Sequence, residues 1–455
     1  MDGAVAVQQT AELTRTLAAQ ASAVTYEALP EPVRALARQC VLDYFGVALA
    51  GTADPLVRIL LDEASDAGGA PQASVVADAA RLPILAAALV NGAASHALDY
   101  DDVNLAMPGH PTVAILPGLL ALAEHRKSSG REVIAAFVAG YETACRIGSA
   151  LRPGHYERGF HSTGTVGAFG AAAACAHLLG LDAGTTARAL GIAGTQAAGL
   201  KSQFGTMCKP FHAGKASQNG LLAARLAARG FSSRDDLVEC VQGFAATHGP
   251  DFHPEAAFAE PANGFHIFAN LFKYHAACYM THAPIECARE LREHHGVIPE
   301  AISAIALSVH RGSDRICNIP APTDGLQAKF SLRQTVAMAL TGVDTASLGA
   351  YSAENACDPA LVDLRERIEI EWQDSWPQTL AELEIELADG NHLTACHDAG
   401  IPAADIADQG RRLAAKFDAL VEPVLGAPRA RELREIIAGL DRLADISDLT
   451  TLAAS

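Results

Sequence analysis

Aromatic residues are scarce in this chain, 5% of 455, and positive charge is outweighed, with 34 Lys and Arg against 52 Asp and Glu. The formal net charge of −18 argues against nucleic acid as a main partner, because a phosphate backbone calls for a basic face. A small anionic substrate stays possible if positive charge is gathered locally. The ten cysteines form no CxxC pair and no Cys/His ladder with zinc spacing, which removes a structural zinc site and fits reduced thiols. No G-x-G-x-x-G follows a strand, and neither G-x-x-x-x-G-K-[ST] nor a G-x-S-x-G elbow occurs. Nicotinamide, nucleotide-triphosphate and serine-hydrolase chemistries therefore lose ground. The opening MDGAVAVQQTAEL is acidic and lacks the basic and apolar regions of a signal peptide. Apolar runs such as residues 164–177 are too short and too rich in Gly and Ala for a membrane span. The expectation is a soluble cytoplasmic protein.

What is present is apolar and small. Half the residues are hydrophobic and alanine is abundant, which suits closely packed helices around a large core. The length calls for two or three domains. Helical periodicity covers residues 8–52 in two segments, then 83–97, 113–126, 131–151, 164–180, 184–199 and 219–230. Nothing in the first 260 residues alternates with period two. The pattern changes near residue 300: AISAIALSVH, RIEIEWQD and LAELEIELADGNHLTACHD read as strands, with Asp389–Gly390 as a hairpin turn. From Ala404 the chain is helical again. The reading is a mainly α protein with a large, discontinuous all-helical domain (1–267 with 404–455) and a smaller α+β domain (268–403).

Five stretches carry residues able to do chemistry. The chain reads as organised around residues 201–220, KSQFGTMCKPFHAGKASQNG, where Lys201, Lys209, Lys215 and His212 stand among glycines. A polar, basic, glycine-broken segment between helices suits anion binding, with backbone N–H groups closely approachable; a solvated loop is the competing reading. SHALDYDDVNLAMPGHP (95–111) gathers His96, Asp99, Asp101, Asp102 and His110. Asp99 and Asp102 would share one side of a helical turn, with Pro and Gly ending the helix before His110. Such groups move protons near neutral pH, and are also divalent-metal ligand types. In GYETACRIG (140–148), Glu142 and Arg146 read as an i,i+4 ion pair, and Tyr141 as a phenol without a fixed role. GFHSTGTVGAFG (159–170) puts His161 at a helix start, where free N–H groups favour a carboxylate and disfavour imidazolium; simple capping is the alternative. FKYHAACYMTHAP (272–284) places Lys273, His275, Cys278 and His282 at the domain junction. Taken together, these groups suit proton abstraction next to a carboxylate, followed by loss of a group or reprotonation.

The blocks ALDYDDVNLAMPGHP, GYETACRIG, GFHSTGTVGAFG, GLKSQFGTMCKPFHAGKASQNG, FKYHAACYMTH and QAKFSL, in that order, resemble the MmgE/PrpD family, which includes 2-methylcitrate dehydratase, cis-aconitate decarboxylase and iminodisuccinate epimerase. The resemblance implies a helical domain with an α+β lid, a homodimer, an active site between the domains, and no metal or organic cofactor. It implies a small di- or tricarboxylate substrate, and catalytic roles for Asp99, His110, His161 and Lys209, with Tyr141 a further candidate through the epimerase branch. Lys201, His212 and Lys273 would bind carboxylates. Cys278 falls where the decarboxylase branch has a histidine, which counts against decarboxylation unless His275 substitutes. A dehydratase-type lyase is the first expectation, an epimerase the next, and a decarboxylase the third. A silent binding protein is disfavoured because all four catalytic positions are filled, and a metal-dependent hydrolase because the Asp and His residues show no ligand spacing.

Overall fold

The computed structural model describes residues 12–454; residues 1–11, which hold most of the stretch read above against a signal peptide, lie outside them. The chain forms two compact units. One runs as far as Phe272 and resumes at Ala404, and the other is Lys273–Ala403. The first is built from helices and the second from helices on a small sheet. Among the described residues, no single helix is long and apolar enough to cross a membrane.

Counting helices of eight residues or more, the first unit opens with α1 (Leu13–Ala23), α2 (Glu31–Gly51), α3 (Pro55–Ala67), α4 (Ile84–His96) and α5 (Pro111–Arg126). It continues with α6 (Gly130–Leu151), α7 (Ser162–Leu178), α8 (Ala183–Gly194) and α9 (Cys208–Ala228). Local chemistry sets the starts. Pro stands in the first turn of α2, α3 and α5, where its missing N–H has no intrahelical partner to lose. Ser129 and Glu132 close a capping box ahead of α6, worth about 1 kcal/mol. Helices α5 and α7 are buried on nearly every side, as their all-apolar sequences require. Together with α4, α6 and α9 they make the centre of the unit.

Three differences from the sequence reading have physical causes. Residues 208–220 are not a loop but the first half of α9. Gly214 serves a helix crossing there: a Cβ on it would stand 2.3 Å from the Leu89 carbonyl oxygen of α4, and one on Gly92 would stand 2.6 Å from Gly214 Cα. Helix α8 stops at Gly194 rather than 199, and an irregular segment follows. A short antiparallel hairpin, β1 (Ala73–Val75) with β2 (Asp78–Leu82), interrupts the helices; strands of three and five residues are too short for their alternation to stand out in sequence.

The second unit holds α10 (His282–His295), α11 (Leu332–Thr341) and α12 (Pro359–Glu366) with strands β3 (Ile302–His310), β4 (Ile368–Gln373), β5 (Leu380–Leu387) and β6 (His392–Asp398). The sheet order is β4-β3-β5-β6, with β3 and β4 parallel and the other pairs antiparallel. In β5 the period of two is clean: Ala381, Leu383 and Ile385 are buried while Glu384 and Glu386 face solvent. Gly390, at φ +85°, makes the β5–β6 turn. After this excursion α13 (Ile406–Leu425) packs on α2, and α14 (Ala427–Ala438) follows.

Gly214→Ala should lower the unfolding free energy by about 1–3 kcal/mol through overpacking against a backbone that has little room to retreat. Denaturant titration checks this, and an unchanged midpoint would contradict the crossing geometry.

Candidate active site

Helix α4 ends at His96, and the chain then turns through Asp99, a non-glycine residue at φ +50°. No helical turn spans Asp99–Asp102, so the two carboxylates do not share a face. The Pro108–Gly109 pair closes a loop instead of ending a helix: Asn104 N–H donates to the Gly109 carbonyl. His110 follows as the N-cap of α5, held extended by Pro111 after it. Its amide donates to Thr163 Oγ1 at 3.0 Å.

Asp101 lies at the centre of this turn. Its carboxylate oxygens sit 2.9 and 3.0 Å from His96 Nδ1, and Oδ2 is 2.9 Å from His110 Nδ1. His110 Nδ1 is also 2.9 Å from the Asp102 carbonyl oxygen. Each imidazole therefore carries its hydrogen on Nδ1, since Nδ1 faces only acceptors. Burial opposes charge on Asp101, yet His110 and His96 hold its carboxyl well below the usual range. Its neighbour goes the other way. Burial, then the charge of Asp43, pushes Asp102 up to about 7, against hydrogen bonds from Thr112 and Asn270. Burial also lowers His96 to about 4, and its Nε2 is buried without a partner among the described residues.

Two more elements supply the rest. Lys209, in the first turn of α9, places Nζ 2.7 Å from Asp99 Oδ1, and His110 Nε2 lies 3.7 Å from the same oxygen. His161 caps α7, with Nδ1 3.0 Å from His212 Nδ1 on α9. Its ring stacks over His96 at 5.8 Å and meets Phe204 edge-on at 4.9 Å. Burial, then the charges of His96, Lys209 and His110, keeps His161 well below its ordinary value. Gly164, one turn into α7, lets His212 and the Ala198 carbonyl approach: a Cβ there would stand 2.5 Å from that oxygen. Asp99, His110, His161, Lys209 and His212 are thus brought together, joined by His96 and Asp101. Both newcomers stood in the SHALDYDD run; what the sequence lacked was any sign that Asp101 points inward.

The other candidates make different contacts. Tyr141 is fully buried; it donates to Asn270 Oδ1 at 2.7 Å and accepts from Asn104 at 3.0 Å. It supports Asp102 through Asn270 and does not join the imidazoles. Lys201 commits its ammonium to the Tyr156 carbonyl at 3.1 Å and to that ring's face at 3.6 Å. The Glu142–Arg146 ion pair does not form: Glu142 accepts from the His266 and Ile267 amides, and Arg146 donates to the Ala257 carbonyl. In the second unit, His275 is held between Thr345 and Glu286, and Lys273 is buried. Cys278 contacts Cys317, and the buried His282 packs on the His275 ring at 5.0 Å.

One donor atom from each of His96, Asp99, Asp101 and His110 lies within 4.8 Å of the others. The fold thus creates by distance a divalent-cation arrangement that the spacing in sequence did not show. Here the same donors are met from within the chain: Asp101 by two imidazoles and Asp99 by the Lys209 ammonium.

The MmgE/PrpD N-terminal domain profile matches residues 15–257, and the C-terminal domain profile matches residues 275–442. The chain belongs to the MmgE/PrpD family. Within the family it is 29% identical over 465 residues to cis-aconitate decarboxylase of Aspergillus terreus, spanning 95% of this chain and 94% of that protein. The human protein of the same name is 29% identical over 388 residues, 82% of this chain and 80% of its own. A cis-aconitate decarboxylase-like protein, oryM, from Aspergillus oryzae is 32% identical over 283 residues, 59% of each chain.

Asp102 gives a signed pH prediction. Its folded value of about 7 lies above the ordinary 3.8, so its contribution to stability is full below the unfolded value and is lost as pH rises to 7. Asp102→Asn keeps an acceptor for Thr112 and Asn270 and escapes that loss. Its stability relative to the parent should rise across this interval by up to about 4 kcal/mol. Chemical denaturation at several pH values measures this, and a constant difference would contradict it.

Proposed function

We propose that this chain is a lyase acting on a small tri- or dicarboxylate, with proton transfer at a carbon α to a carboxylate as its central step. The observation that carries the reading is the convergence of Lys209, Asp99 and His110: an ammonium and an imidazole nitrogen 2.7 and 3.7 Å from one carboxylate oxygen. Asp99 or His110 Nε2 takes the α-proton. Lys209 faces the enolate-like charge that develops, a placement whose value grows in a partly dehydrated site. Asp101 and the Asp102 carbonyl hold the Nδ1 side of His110, so that its free nitrogen is Nε2. The His161–His212 pair, both held toward the neutral form by burial, carries a proton to or from the leaving group.

Loss of water is the reaction these groups serve most directly, because a base and an acid stand side by side. Decarboxylation of a cis-aconitate-like acid is the second reading, favoured by the relatives' names. We further infer a cytoplasmic homodimer without a metal requirement, following the family resemblance.

Proton NMR in D2O with citrate, 2-methylcitrate, cis-aconitate and iminodisuccinate tests the reading. A new vinyl signal with loss of water supports the dehydratase, itaconate with CO2 supports the decarboxylase, and α-deuteration with inversion and no alkene replaces both with an epimerase. No change in any acid would overturn the proposal. Lys209→Ala should lower kcat about 1,000-fold or more while the protein stays folded; retained turnover would remove the central premise. Dialysis against a chelator should leave kcat unchanged, and loss restored by a divalent cation would instead favour a metal at His96, Asp99, Asp101 and His110.

A further inference from the structure

Beneath the turn that carries Asp99 and Asp101 lies a second buried charge pair that the proton chemistry above does not use. Lys416, on α13, sets Nζ 2.6 Å from Asp43 Oδ1 on α2, and both side chains are almost wholly buried (3% and 1% exposed). The same Nζ donates to the Tyr100 carbonyl at 2.7 Å and lies 4.0 Å from the Tyr100 ring centroid. Burial raises Asp43, while Lys416 and the backbone amide of Asp102 pull the other way. The pair therefore holds the main chain next to Asp101, through the carbonyl of residue 100.

We infer that Asp43 and Lys416 form a clamp that presets the Asp99–Asp102 turn, and that both are positioning residues for proton transfer at Asp99 and His110. Stability alone is a weak reason for such a pair, because apolar replacements of similar volume are often as stable or more so. Geometry is the stronger reason. The turn is irregular, Asp99 holds a left-handed conformation that a non-glycine residue rarely adopts, and the Tyr100 carbonyl points into the interior, where only a donor makes it tolerable. Lys416 is that donor, and its partner Asp43 keeps its charge acceptable. The role rests on the lyase reading above; the clamp itself does not.

The test is the double variant Asp43→Asn with Lys416→Met, which removes both charges together. Its melting temperature should stay close to the parent's. Its kcat should fall about 100-fold through misplacement of the turn, with KM within about threefold because carboxylate binding is left intact. Hydrogen exchange at the amides of residues 99–104 should quicken by about tenfold or more. A folded double variant with parental kcat would overturn the positioning role, and unchanged exchange at 99–104 would overturn the clamp. Should the double variant not fold, Lys416→Met alone is read by the same two measurements. If the parent itself turns over none of the acids, the lyase reading fails and the exchange result still decides the clamp.

Discussion

A single ionised carboxylate in a dry interior organises this site. Asp101 is solvated by two imidazole N–H groups instead of water, and each imidazole is thereby fixed in one tautomer and one orientation. The alternation along the chain follows from what each carboxylate meets. Asp99 is partly exposed and faces an ammonium; Asp101 is buried and faces two histidines; Asp102 is buried and faces a hydroxyl and an amide. Asp101 and Asp102, adjacent in the chain, thus hold their protons differently, which is how one loop can offer both an acid and a base.

Close helix packing delivers the cation. The contact at Gly92 and Gly214 brings α4 and α9 nearly into backbone contact. Asp99 lies seven residues beyond that point on one strand of chain and Lys209 five residues before it on the other, so the two meet on the same side of the crossing. A larger residue at either glycine would separate the elements and with them the ion pair.

Much of this was legible beforehand. Most long helices of the first unit were legible, though not α3 or the first half of α9; β5 announced itself by strict alternation, and the hairpin by Asp389–Gly390. The site was legible in part: Asp99, His110, His161, Lys209 and His212 were singled out and do converge, whereas Lys201 turned out to face Tyr156 and Tyr141 to brace Asn270. The misreadings share a cause. Glycine, serine and lysine in residues 208–220 look like loop composition, yet in a helix packed on another helix the glycines serve contact and the polar groups serve the site. The inward placement of Asp101, and Lys416 altogether, were illegible for a different reason. A charged residue in a sequence is presumed to face water, and only the fold supplies the partner that lets it do otherwise.

The order of the chain adds a consequence for biogenesis. Asp43 emerges early from the ribosome and Lys416 comes 373 residues later, after the whole of the second unit. Any earlier packing of α2 against the 99–102 turn would gather Asp43, Asp101 and Asp102 without the α13 ammonium. Such a half-made interior would be electrostatically frustrated through the synthesis of a complete additional domain. The native arrangement rests on a contact of very high sequence separation, the kind that slows folding and leaves intermediates in need of protection.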